Sequence, residues 1–163
     1  MVNEKTQKLF DQIQKGKEEI DAIKKELATK VQTTFHELSK ELFTLYPELK
    51  SFGWTQYTPY FNDGEECTFR VNHRYPTING FNSDYGKEGP EGWINITEGA
   101  QEQIYDSGFK PNPNFNPYYK EIIDNVKEFL SKFGDDDFLS IFNNHVEVTI
   151  TADGVKTAEY EHE

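Results

Sequence analysis

The sequence is poor in cysteine: Cys67 stands alone, which excludes an intramolecular disulfide and fits a cytosolic protein. No run approaches eighteen apolar residues, so no segment reads as a membrane-spanning helix. The first thirty residues are polar and charged, which argues against a signal peptide. Arginine is confined to Arg70 and Arg74, and 17 basic residues face 29 acidic ones, a net charge of −12. Counterion release from a nucleic-acid backbone needs the opposite balance. Direct nucleic-acid binding is therefore argued against; the balance favours a basic partner or a cation, or serves only to keep the protein soluble.

The motifs of common chemistry are also missing. There is no glycine-rich phosphate loop and no Gly-x-Ser-x-Gly. His36, His73, His145 and His162 are scattered, and there is no cysteine cluster for zinc. Asp135-Asp136-Asp137 lacks the alternation of a calcium loop and the glutamate that closes one. The expectation is no metal and no cofactor. Cys67, His73 and Asp63 are close in sequence, and an enzyme built on them is one alternative. The strand register below points Cys67 into the core, where a thiol is ordinarily inert.

What is present is 163 residues with nine Tyr, thirteen Phe and two Trp, too aromatic for a disordered chain. The charge is uneven. Residues 1–50 hold nine Lys and nine Asp or Glu, whereas 51–163 hold eight basic and twenty acidic residues. The pattern changes at the same place, from helical to rich in Gly, Asn, Pro and β-formers. Two parts follow: 1–50, a long helix that serves as an oligomerisation element, and 51–163, an acidic α+β domain.

The helix is expected over 4–46, because Pro47 disfavours helix at Tyr46. Leu9, Ile13, Ile20, Ile23, Leu27, Val31, Phe35, Leu38, Leu42, Leu45 and Leu49 form its apolar stripe. From Ile20 the steps are 3, 4, 4, 4, 3, 4, 3, 4, a heptad seam with one stutter near Val31. A helix of that length runs about 60 Å, longer than a domain of this size is wide, and a projecting seam needs a partner helix. A homo-oligomer, most simply a dimer, is expected. The competing reading breaks the helix near Gly16 or Thr33-Thr34 and folds it back.

Residues 51–163 read as two hairpins with helices between. Ser51–Phe61 and Glu65–His73 flank Asn62-Asp63-Gly64. A three-residue loop pairs Tyr57 with Phe69, Thr55 with Val71 and Pro59 with Cys67, which makes one apolar face. The outer face then carries Trp54, Gln56, Thr58, Tyr60, Arg70 and Asn72, a composition found at binding hot spots; the competing use is to receive helix 117–133 or the 74–117 loop, with packing favoured for Trp54 and binding for Gln56, Tyr60 and Arg70. Residues 74–117 contain 17 Gly, Pro and Asn; a short strand at 93–97 and a helical turn or two at 98–106 are expected, with the loop's aromatic residues packed on themselves or on the sheet. Asn116-Pro117 starts a helix that ends at Gly134, and 135–137 cap a shorter one. The final hairpin, 146–151 and 155–161, is expected to place Glu147 opposite Glu159 and Glu161 opposite His145. Like charges across a strand pair are destabilising, so Glu147 and Glu159 are candidate partner contacts, in competition with a charged edge that prevents aggregation.

The stretch Trp54-Thr55-Gln56-Tyr57-Thr58-Pro59-Tyr60-Phe61-Asn62-Asp63-Gly64-Glu65 resembles a signature of small acidic proteins encoded by tailed bacteriophages. His145–Thr151, the Asp153-Gly154 turn and Glu159-Tyr160-Glu161-His162 are similar to the end of the same proteins, and the likeness covers about a fifth of the chain. The resemblance implies a phage protein in the cytoplasm of the host bacterium and carries no catalytic or binding residues with it. By analogy, a non-enzymatic accessory factor that binds and modulates or inhibits a host protein is expected, a defence factor being one such target. The alternative is a sponge that holds a small nucleotide signal among Trp54, Tyr57, Tyr60 and Arg70.

Overall fold

The computed structural model describes residues 3–60, 64, 66–82 and 86–161. Phe61, the Asn62-Asp63 turn, Glu65 and His162, all named above, lie outside the described residues. The chain divides into two compact units, Met1–Phe35 and His36–Glu163.

Helix α1 runs unbroken from Glu4 to Leu45. It opens on Asn3, whose side chain accepts the Thr6 N–H at 2.8 Å, and stops ahead of Pro47 as expected. Neither Gly16 nor Thr33-Thr34 interrupts it. In the first unit its exposed flanks carry i,i+4 pairs such as Lys30–Glu26 at 3.8 Å, each worth only a few tenths of a kcal/mol. Leu9, Phe10, Ile13, Ile20, Ile23 and Leu27 are 51–65% exposed.

The second unit is α+β. Its main sheet is antiparallel, with strand order β2-β1-β6-β7: β1 is Ser51–Tyr57, β2 Arg70–Val71, β6 Val146–Thr151 and β7 Gly154–Glu159. β3, Thr77–Ile78, also pairs with β1. β1 and β6 match along six residues, from Ser51↔Thr151 to Gln56↔Val146. Gly53 permits that approach, since a Cβ there would run into the Val148 carbonyl oxygen.

Helices α3 (Pro117–Ser131) and α4 (Asp135–Phe142) cover one face of this sheet. Asn116 caps α3 through the Tyr118 N–H at 3.0 Å, with Pro117 in its first turn. The Asp137 carboxylate accepts the Gly134 N–H at 3.0 Å, so the acidic run begins a helix. Between sheet and helices lies an aromatic core. Phe52 stacks on Phe43 at 5.5 Å and meets Phe129 edge-on at 6.0 Å. The Trp54 ring meets Phe138 and Phe142 edge-on at 5.4 and 5.3 Å. Each such pair adds about 0.5–1.5 kcal/mol beyond its burial.

Both expected hairpin registers are corrected. β1 and β2 pair Gln56 with Val71 and Tyr57 with Arg70, one residue away from Tyr57–Phe69 and Thr55–Val71. The returning strand shrinks to two residues, and Cys67 is half-buried outside any strand rather than in the core. β1 is buried on both faces, so alternation could not say which face meets the helices. The answer is the face of Phe52, Trp54 and Gln56, the one expected to point outward. In the last hairpin a two-residue loop joins Thr151 to Gly154, which pairs Glu147 with Ala158 and Val146 with Glu159. Glu147 and Glu159 thus leave on opposite faces of the sheet. β7 is an edge strand with mostly exposed side chains, so burial did not select its register.

Residues 93–97 form no strand; α2 begins there instead, Ile96–Gly99, capped by Asn95. It is followed by a small hairpin, β4 (Gln103–Tyr105) and β5 (Phe109–Pro111). The long segment is ordered by buried asparagines that replace missing ladder bonds. Asn79, wholly buried at φ 53°, accepts from the Lys50 and Ser51 N–H groups at 2.6 and 3.2 Å. It donates to the Glu48 and Ile94 carbonyl oxygens at 2.9 and 3.0 Å. Asn112 donates to the Glu98 and Gln101 carbonyl oxygens in the same manner, at 3.0 and 2.8 Å.

Candidate functional site

Trp54 and Gln56 belong to the core. The Gln56 amide nitrogen donates to the Phe138 and Asn143 carbonyl oxygens at 3.0 and 2.6 Å, and its oxygen accepts the Trp54 indole N–H at 2.9 Å. A fully satisfied buried amide of this kind positions α4 on the sheet. Neither side chain is presented to a partner.

Tyr60 and Arg70 are exposed. The Tyr60 ring lies flat on His145, with centroids 5.0 Å apart and planes 6° apart. Asn144 donates to the Thr58 hydroxyl at 2.9 Å beside it, so the chain end leaving β1 is tied to the turn entering β6. His145 Nδ1 is buried with no hydrogen-bond partner.

The sheet face opposite the helices opens into a cleft of about 300 Å³. Its floor is Gly53, Thr55 and Thr149, and Tyr57, Tyr75 and Tyr160 stand on its walls. The Tyr57 and Tyr160 rings are 5.5 Å apart. At the rim Lys87 pairs with Glu147 at 3.2 Å, both roughly two-fifths exposed. Glu147 therefore faces the cleft, whereas Glu159 lies on β7 opposite Val146. The cleft suits a small polar or aromatic molecule.

The β4–β5 hairpin carries a surface that the sequence reading did not single out. Tyr105 and Phe109 are directly paired across it, with rings edge-to-face at 5.5 Å. They are 75% and 77% exposed, the most open aromatic rings among the described residues. Asp106-Ser107-Gly108 makes the turn between them, with Ser107 at φ 55° and Gly108 at φ 130°. An Asp-Ser-Gly turn flanked by two aromatics was the available signal. An aromatic pair held open to solvent is the composition of an interface anchor.

Among the described residues no group of three or more His, Cys, Asp and Glu could hold a metal ion. His73 stacks on Phe138 at 5.5 Å. Among the described residues no helix is long and apolar enough to cross a membrane. Comparison with family models, with curated proteins and with solved structures finds no match to this chain.

Proposed function

We propose that this chain is a non-enzymatic phage accessory protein that works in the host cytoplasm, self-associates through α1 and binds a host protein with its acidic second unit, modulating or inhibiting it. A bacterial defence factor is the proposed class of target, on the resemblance of the 54–65 and 145–162 stretches alone. The observation that carries the binding reading is the Tyr105–Phe109 pair, both rings about three-quarters exposed on a two-stranded hairpin. Leaving that much apolar surface in water is unfavourable unless a partner covers it. The excess of acid over base in 51–163 fits a partner with a basic rim.

The test is retention of a bacterial protein by the tagged chain, identified by mass and re-bound after separate purification. Tyr105→Ala with Phe109→Ala should reduce that retention at least tenfold at an unchanged melting temperature. Equal retention by the double variant overturns the hairpin as the contact.

The cleft favours a second reading, the sponge for a small nucleotide, with Tyr57 and Tyr160 supplying the stacking surface. Trp54 is withdrawn from that role because its ring packs on the helix side of the sheet, against Phe138 and Phe142. A nucleotide-dependent rise in melting temperature that Tyr57→Ala abolishes would support it.

A further inference from the structure

The first unit specifies how two copies meet. With Ile13, Ile20 and Leu27 at heptad position a, position d is Leu9, Gly16 and Ile23. These apolar side chains are 53–65% exposed in the single chain. The flanking positions separate by sign: e holds Lys17 and Lys24, and g holds Glu19 and Glu26. Phe10, also at e, widens the seam at its start and is 51% exposed.

In a parallel pair each g residue faces the e residue five positions later on the other chain, so Glu19 meets Lys24 of the second copy, twice by symmetry. Gln12 meets Lys17 in the same way, without repulsion. In an antiparallel pair e faces e and g faces g, which would set lysine against lysine and glutamate against glutamate. We infer that the occupant of this seam is a second copy of the same chain, lying parallel and in register over Leu9–Leu27. The inference rests on the self-association proposed above and adds its orientation. Its consequence is one of valence: each dimer carries two copies of the second unit, and with them two Tyr105–Phe109 hairpins. Bivalence of that kind raises avidity with no new contact.

Cysteine cross-linking of the full chain reads the orientation. In a Cys67→Ser background, Leu9→Cys and Leu27→Cys are made separately, oxidised alone, and oxidised as a mixture. The parallel arrangement predicts efficient Leu9–Leu9 and Leu27–Leu27 cross-links, because each seam residue then lies beside itself, within the Cα separation a disulfide tolerates. Cross-linking only in the mixture, between positions 9 and 27, means an antiparallel pair, in which d faces a, and overturns the orientation while leaving self-association intact. No cross-link, together with a monomeric mass by light scattering of the cysteine-free chain, removes the self-association reading itself. A charge swap gives an independent measure. Glu19→Lys or Lys24→Glu alone should weaken dimerisation by about tenfold at low salt, since both symmetric pairs turn repulsive, and the double swap should restore it. Equal weakening by the double swap overturns the pairing.

Discussion

The indole N–H of Trp54 donates to the side-chain oxygen of Gln56, 2.9 Å away and two residues on in the same strand. Both side chains leave the same face of β1, where α4 covers them. Gln56 is completely buried and is held by the Phe138 and Asn143 carbonyl oxygens as well. Replacing it by Leu removes the hydrogen bonds that its amide makes to the indole N–H and the two carbonyl oxygens, and a buried polar group that loses a partner costs about 1–3 kcal/mol. Gln56→Leu should therefore destabilise by roughly 2–4 kcal/mol in urea denaturation. Trp54→Ala should cost about 3–5 kcal/mol. Tyr60→Ala and Arg70→Ala, at exposed positions, should stay within about 1 kcal/mol of the parent. A loss for Tyr60→Ala as large as that for Trp54→Ala would show that the stack on His145 is structural.

Asn79 joins three stretches of chain through four hydrogen bonds while wholly buried. Asn79→Ala leaves the backbone groups of Glu48, Lys50, Ser51 and Ile94 without these partners, and at φ 53° alanine is also strained. A loss of roughly 3 kcal/mol or more is expected. Asn79→Gly loses the same bonds without the strain, so it should be milder by about 1 kcal/mol. Identical losses for the two variants would rule out a conformational contribution.

Tyr46 is buried beside α3, with Asn125 donating to its hydroxyl at 2.6 Å and the hydroxyl donating to the Glu121 carboxylate at 3.4 Å. Burial first, and then the Glu121 carboxylate, raise its pKa above the ordinary tyrosine value. The unfolded chain gives up this proton at lower pH than the folded one. The stabilising contribution is therefore full below about pH 10 and is lost as pH rises through the raised folded value. The parent should lose more stability than Tyr46→Phe between pH 9 and 11. Tyr118, raised chiefly by its hydrogen bond to Glu48, acts with the same sign but is present in both proteins. Parallel alkaline curves would contradict this assignment.

Glu147 and Glu159 leave opposite faces of the sheet, since Glu147 pairs with Ala158 and Glu159 with Val146. Their replacements by Gln should add in stability to within about 0.5 kcal/mol. Glu147→Gln alone, which breaks a solvent-screened pair with Lys87, should cost under about 1 kcal/mol. A coupling well above that limit would restore the like-charge pair that the sequence pattern suggested.

Sequence alone determined the features whose physics is local. Pro47 ends α1, Asn116-Pro117 opens α3 and Gly134 separates α3 from α4, because caps and breakers act within one helical turn. The α+β class and the apolar stripe along the first unit's helix were legible as well. Tertiary structure decided whatever required a choice between equivalent faces. β1 carries Phe52 and Trp54 on one side and Tyr57 on the other, and both sides are buried, so its period of two had no inside to report. The helices that settle the matter lie more than sixty residues further along the chain. β7 had the converse ambiguity, an exposed edge whose register follows its two-residue turn rather than any buried pattern. Asn79 and the Tyr105–Phe109 pair depend on contacts and exposure that composition does not carry. An asparagine becomes a staple only when four backbone groups converge on it, and an aromatic pair becomes an open surface only when nothing in the fold reaches it.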